Sequence, residues 1–227
     1  MSNMPLAERL RPHTLDEYIG QEHLVGPDGV FRRFLETGNV PSFILWGPPG
    51  VGKTTLARLV ATALDRRMFT LSAVTSGVKD VREVIEQARK QKFFNTPAPF
   101  LFIDEIHRFN KAQQDSLLGA VEQGDITLIG ATTENPSFEV ISPLLSRCQV
   151  YVLRAMDDAQ LQELLDRALT TDTELRQRHI EVRETNALFS FAGGDARKLL
   201  NILDIVAGAT EGDLVIDDRT VTDALQQ

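Results

Sequence analysis

Phe43-Ile44-Leu45-Trp46-Gly47-Pro48-Pro49-Gly50-Val51-Gly52-Lys53-Thr54 is the stretch on which the fold turns. Its first four residues form a short, continuous apolar run closed by glycine and proline, which predicts a fully buried strand running into a loop. Residues 47–54 fit the spacing G-x-x-x-x-G-K-[ST]. Glycines at these positions let successive backbone N–H groups curl around phosphate oxygens, and the helix expected over 54–64 points its positive end at the same place. All of Gly47, Pro48, Pro49, Gly50, Val51 and Gly52 are therefore candidate phosphate-cradling residues. Lys53 is placed to bridge two phosphates of a nucleoside triphosphate, and Thr54, with Thr55 behind it, stands where a hydroxyl would bind Mg²⁺. The bland alternative is a Gly-Pro turn with an incidental lysine.

Four more apolar runs follow, at 68–72, 100–103, 126–131 and 150–153, separated by helical patterns at 78–90 and 111–123. Strands alternating with helices predict a mostly parallel five-stranded sheet covered on both faces. Beyond 153 the pattern becomes helical, over 157–169, 183–192 and 195–209, with a short 214–216 segment and a last helical turn. These changes predict an α/β domain over 1–153 and a small all-α domain over 154–227. Upstream, 30–36 reads as an amphipathic helix, 95–99 as a turn, and the second Met at position 4 as the native start after a short remnant.

The run Phe100-Leu101-Phe102-Ile103 ends in Asp104-Glu105. Ligands in an open α/β sheet sit at the carboxyl ends of the strands, so both carboxylates are expected beside the phosphate loop. Asp104 is the candidate Mg²⁺ partner and Glu105 the candidate group that orients and polarises a water; a helix-capping Asp is the alternative. The run 126–131 ends in Thr132-Thr133-Glu134-Asn135, a polar tip that could read a γ-phosphate, with Thr133 or Thr132 as the reader, or simply a turn ahead of Pro136.

Composition sets the outer bounds. The chain has 227 residues, one Cys, 42% hydrophobic and 25% charged residues, and a formal charge of −8; this excludes a collagenous, low-complexity or largely disordered chain. No apolar run reaches the ~18–20 residues a membrane span needs, and the N-terminus lacks a secretion signal, so a cytoplasmic location and no membrane partner are expected. Cys148 alone can form no internal disulfide, and it reads as a small buried hydrophobe. The acidity is uneven: residues 1–153 hold 16 Lys plus Arg against 17 Asp plus Glu, while 154–227 hold 8 against 15. Nucleic acid needs basic charge, so any DNA contact is expected on the first part and on a C-terminal region beyond residue 227. Lys79, Arg108 and Lys111 are the candidates. His107 has no His or Cys at ligand spacing and reads as an ordinary hydrogen-bonded histidine.

With these motifs in this order, the chain resembles the AAA+ ATPases and, within them, the clamp-loader-like branch. Leu10-Arg11-Pro12 and Tyr18-Ile19-Gly20-Gln21 are similar to the box that packs around adenine in that branch. Ser146-Arg147-Cys148 is similar to its Ser-Arg-Cys motif, which implies Arg147 as a finger on a neighbouring subunit's γ-phosphate. Gly194-Asp195-Ala196-Arg197 is similar to the second-sensor motif of the lid, which implies that Arg197 touches ATP. The strings 72–79, 104–115 and 130–138 resemble, more narrowly, the replication-associated recombination protein A family and its eukaryotic relative, the Werner helicase-interacting ATPase. That resemblance implies an ATP- and Mg²⁺-using, DNA-dependent ATPase at stalled or damaged replication forks, homotetrameric, and cooperating with single-strand-binding protein. It also implies a further C-terminal assembly domain, so the chain is expected to be a fragment. A clamp-loader subunit and a Holliday-junction branch-migration ATPase share the nucleotide motifs, and a nucleotide-gated protein-binding switch is the alternative of another class.

Overall fold

A computed structural model describes residues 4–92, 97–210 and 212–226; the remnant expected before Met4, the start of the 95–99 turn and the Lys92 side chain lie outside what it describes. Five strands form one sheet: β1 Phe43–Trp46, β2 Met68–Ser72, β3 Phe100–Asp104, β4 Thr127–Thr132 and β5 Gln149–Val152, in the order β2-β3-β4-β1-β5. Every pairing is parallel, as continuous apolar runs separated by helices require. The central strands are apolar because both their faces are covered: Phe43, Ile44, Leu45, Phe100, Leu101, Phe102 and Ile103 are fully buried. Each such side chain contributes about 1.5–3 kcal/mol.

Contacts divide the chain into two compact units, and each is described separately. The sheet unit takes Gln21–Pro48 and Lys53–Leu153. On one side of it the rings of Phe31 and Phe34, from the helix Val30–Thr37, pack edge-on or stacked with Phe43 and Tyr151 at centroid distances of 5.3–6.2 Å. On another, the helices Val78–Lys92 and Lys111–Glu122 bring Val81, Ile85, Ala88 and Leu117 onto Leu101, Ile103 and Leu128. Asn110 and Gln113 start the second of these helices with a capping box, in which each side chain bonds the other's backbone N–H.

The other unit comprises the leading residues to Gly20, the loop Pro49–Gly52 and everything from Arg154 onward. Its core joins Leu6 and Ile19 to Leu161, Leu165, Leu199, Leu203 and Val206, which come from the helices Asp158–Thr171 and Ala196–Gly208. Residues 4–20 thus pack with the helical part, although their place in the sequence suggests the sheet domain. Leu6 and Ile19 decide this, because their apolar area is removed from water only here. Arg9 reinforces it through Asp172, with hydrogen bonds of 2.8 and 3.1 Å. The helical part also holds two three-residue parallel strands, β6 Ile180–Val182 and β7 Leu214–Ile216, where an all-α domain was expected. Helix at 183–192 shortens to Asn186–Ala192, because the Arg183 and Glu184 N–H groups bond to the Ile216 carbonyl and extend the ladder.

Candidate nucleotide site

The tips of three adjacent strands meet at one level. Trp46, the last residue of β1, pairs with Thr132, the last of β4, and the Gly47 N–H donates to the Thr132 carbonyl at 3.1 Å. Ile103 pairs with Gly130, so Asp104 ends β3 at the level of Ala131. The phosphate loop, the Asp-Glu pair and the polar tip of 126–135 therefore leave the sheet at neighbouring points along one edge, as the strand-end rule predicts.

The loop has no room for a side chain at Gly47, Gly50 or Gly52. Gly50 and Gly52 have φ of +71° and +96°. A Cβ on Gly47 would lie 2.4 Å from the Leu153 carbonyl oxygen, and one on Gly50 would overlap the Asp195 carboxylate at 1.7 Å. Lys53 begins the helix Lys53–Ala63 and is 8% exposed, its ammonium donating to the Gly47 and Pro48 carbonyls at 2.7 Å each. A buried ammonium needs such partners. Within the sheet unit, the start of the helix Lys53–Ala63 and the ammonium held at the end of β1 form a positive end that fits an anionic polyphosphate.

Asp104 is half-buried at the end of β3, and Glu105 follows with φ 55° and ψ 45°. A left-handed conformation costs a non-glycine residue about 1–2 kcal/mol, and such strain concentrates at functional sites. The Glu105 carboxylate lies 3.4 Å from His107 Nε2, and His107 Nδ1 lies 2.9 Å from the Thr132 hydroxyl. Thr132 is fully buried, whereas Thr133 is half-buried. Among the described residues no cluster of three or more His, Cys, Asp or Glu side chains could hold a metal by itself. Thr54 and Asp104 are the residues here that would share a hard cation with phosphate and water oxygens, which is how Mg²⁺ is usually held.

Arg147 follows the short helix Ser142–Leu145 and is folded back on its own chain. It pairs with Glu122 and donates to the Pro143 carbonyl at 2.6 Å. Behind it, the buried Gln114 amide donates to the carbonyls of Phe109 and Glu139, at 3.0 and 2.9 Å, and accepts from the Ile141 N–H at 2.8 Å. That side chain ties the segment after Glu105 to the segment carrying Arg147, a role invisible in a single polar letter of a helix. Cys148 is half-buried, and burial pushes its thiol up to about 12, far from a reactive thiolate.

In the other unit, the Tyr18 hydroxyl donates to the Val51 carbonyl at 2.9 Å, and burial raises its phenol above the ordinary value. The Ala196 N–H bonds to the Gly50 carbonyl at 3.2 Å, so the 194–197 motif rests against the tip of the phosphate loop, and Arg197 is exposed in the first turn that Asp195 caps. Leu10 and Arg11 line a pocket of about 310 Å³ with Arg9, His13, Arg167 and Asp172. Pro12 is half-buried outside that lining, Tyr18 lies on the loop, and Ile19 joins the helical core. The three candidate DNA cations, Lys79, Arg108 and Lys111, are exposed, and Lys79, 88% exposed, pairs at 3.9 Å with Glu83.

Residues 43–155 match the ATPase family associated with various cellular activities (AAA). Over 230 aligned residues the chain is 46% identical to replication-associated recombination protein A of Coxiella burnetii, covering 99% of this chain and 52% of that protein. The chain belongs to the AAA+ ATPases of the replication-associated recombination protein A family. The ATPase WRNIP1 of Dictyostelium discoideum is 46% identical over 217 residues, 95% of this chain and 25% of that one. Among solved structures, a point mutant of Thermotoga maritima RuvB aligns with a TM-score of 0.77 at 29% identity, over 96% of this chain and 73% of that chain. The chain spans about half the length of the bacterial members of the family that it matches. Among the described residues no helix is long and apolar enough to cross a membrane.

Proposed function

We propose that this chain is the nucleotide-hydrolysing part of a DNA-dependent ATPase that works as a homo-oligomer in the cytoplasm, remodelling DNA or bound proteins at stalled or damaged replication forks. The observation that carries the reading is the alignment of strand tips: the loop leading to Lys53, the Asp104-Glu105 pair and the 132–133 threonines leave adjacent strands at one level. Lys53 would meet phosphate oxygens, and Thr54 and Asp104 would hold Mg²⁺. ATP with Mg²⁺ would supply the phosphoanhydride bond to be cut and positive charge against its phosphates. Glu105 orients and polarises a water from a left-handed backbone directly after β3. Thr133 reads the γ-phosphate, and Arg197 is the lid's contribution.

Arg147 acts on the neighbouring subunit, and Glu122 holds it until then. The homotetramer, single-strand-binding protein and DNA contacts through Lys79, Arg108 and Lys111 are the partners this reading takes from the family resemblance of the sequence motifs; those cations share the near-neutral part of the chain. The test is the ATPase rate of the full-length protein on single-stranded, duplex, gapped and forked DNA at stated ionic strength. Stimulation by forked or gapped DNA is expected, together with loss of about 10²- to 10⁴-fold in turnover, and retained ATP binding, for Glu105→Gln. Turnover indifferent to every DNA would instead favour a nucleotide-gated switch.

A further inference from the structure

His107 touches two groups that the reading above uses or adjoins, and nothing in that reading employs it. Its imidazole is buried to 9% side-chain exposure between the partly exposed Glu105 carboxylate and the fully buried Thr132 hydroxyl, at 3.4 Å and 2.9 Å. A neutral imidazole has one donor nitrogen and one acceptor nitrogen. In the tautomer protonated at Nε2, the nitrogen nearer the carboxylate, Nδ1 accepts from the Thr132 hydroxyl, whose one proton otherwise goes to the Glu134 carbonyl at 3.2 Å. That hydroxyl also accepts from the Glu134 N–H at 3.0 Å, which holds the turn carrying Thr133. A single polar line therefore runs from the tip of β4 through His107 to Glu105, inside one unit of the fold.

We propose that His107 is a positioning residue that couples the β4 tip to the Glu105 carboxylate, so that displacement of the Thr132–Glu134 turn moves the group that orients the attacking water. Glu105 needs such a restraint. Its backbone is already in a sparsely populated region, and its side chain is nearly one-third exposed. The 3₁₀ turn Ile106–Arg108, which starts directly after Glu105, lets the imidazole fold back on the carboxylate that precedes it. The inference rests on Glu105 being the water-orienting carboxylate.

The test is a double-mutant cycle on the full-length protein, read as kcat, KM for ATP and nucleotide Kd. His107→Ala is expected to lower kcat about 10- to 100-fold with ATP affinity unchanged within about twofold, because a catalytic group misplaced by about 1 Å loses up to that much. Thr132→Val removes the hydroxyl at nearly constant shape, and the double variant is expected to be no slower than the slower single one, since both cut the same line. Rates that multiply, or a His107→Ala enzyme with normal kcat, overturn the coupling. If alanine impairs folding, as thermal unfolding would reveal, two isosteres carry the test. Asn can mimic Nδ1 and Gln can mimic Nε2, and neither alone is expected to restore turnover; full restoration by either removes the two-ended role. Glu105→Gln separates the layers: normal turnover there sinks the base assignment itself, whereas lost turnover there with no effect at His107 sinks only the coupling.

Discussion

Replacing Gly52 with alanine puts a methyl group where the phosphate loop meets Tyr18. The backbone has φ +96°, a region L-residues enter at a cost of about 1–2 kcal/mol or more. The new Cβ would lie 2.4 Å from the Tyr18 hydroxyl and 3.0 Å from Cζ. The ring is buried at 8% exposure and cannot swing aside, so its hydroxyl must give up the 2.9 Å bond to the Val51 carbonyl. Leaving that buried acceptor unpaired costs about 1–3 kcal/mol, which brings the expected loss to about 2–5 kcal/mol. In a chain of this size that lowers the melting temperature by at least about 4 °C. Urea unfolding measures the loss, and a fluorescent ATP analogue reports the accompanying collapse of nucleotide affinity. Tyr18→Phe alone should cost about 1–3 kcal/mol by orphaning the same carbonyl. Because both changes break one hydrogen bond, the double variant should fall short of additivity by about 1 kcal/mol or more. Additivity within about 0.5 kcal/mol, or an alanine variant of wild-type stability, would refute the packing argument.

Three other outcomes follow from the geometry. Glu122→Gln frees Arg147 from an exposed pair worth about 0.2–1 kcal/mol, so turnover of the assembled full-length protein should rise by up to about fivefold, whereas Arg147→Ala should lower it by about 10³-fold or more without changing nucleotide affinity. Gln114→Leu leaves two carbonyls and one N–H without their partner and should destabilise the sheet unit by about 2–5 kcal/mol in denaturant titrations. Burial works to raise the Asp172 carboxyl, but Arg9 and the N–H groups of Leu175 and Glu174 outweigh it and hold the group below its ordinary value. Its stabilisation is therefore present above the ordinary carboxylate range and lost as pH falls through the depressed value; Asp172→Asn should cost about 3–5 kcal/mol at pH 7 and flatten the acid limb of a stability–pH profile.

Much of the sheet was legible before any coordinates, because a strand covered on both faces must be apolar at every position. Phe43–Trp46 and Met68–Ser72 occupy the residues expected for them, and β3 extends one residue further, to Asp104. That extra residue is a long-range matter: Asp104 pairs with Ser72, and its carbonyl accepts from the Ala73 N–H at 2.9 Å. Spacing within the chain likewise marked Gly47 to Thr54 as a phosphate cradle, since backbone curvature and the following helix are local properties.

Other features depend on which surfaces meet. Leu6 and Ile19 lie in stretches too short to show a period that names their partner, and only their burial against Leu161 and Leu203 assigns the leading residues to the helical unit. The three-residue strands β6 and β7 carry too little period to be told from loop, and each exists only because the other pairs with it. His107 read as an ordinary histidine because its partners are Glu105, two residues back, and Thr132, 25 residues on. The chemistry available to each residue was thus determined by the sequence alone, through residue type and local backbone; which groups share a proton, a carbonyl or a core was decided by the tertiary structure, because those contacts join strands and helices far apart in the chain.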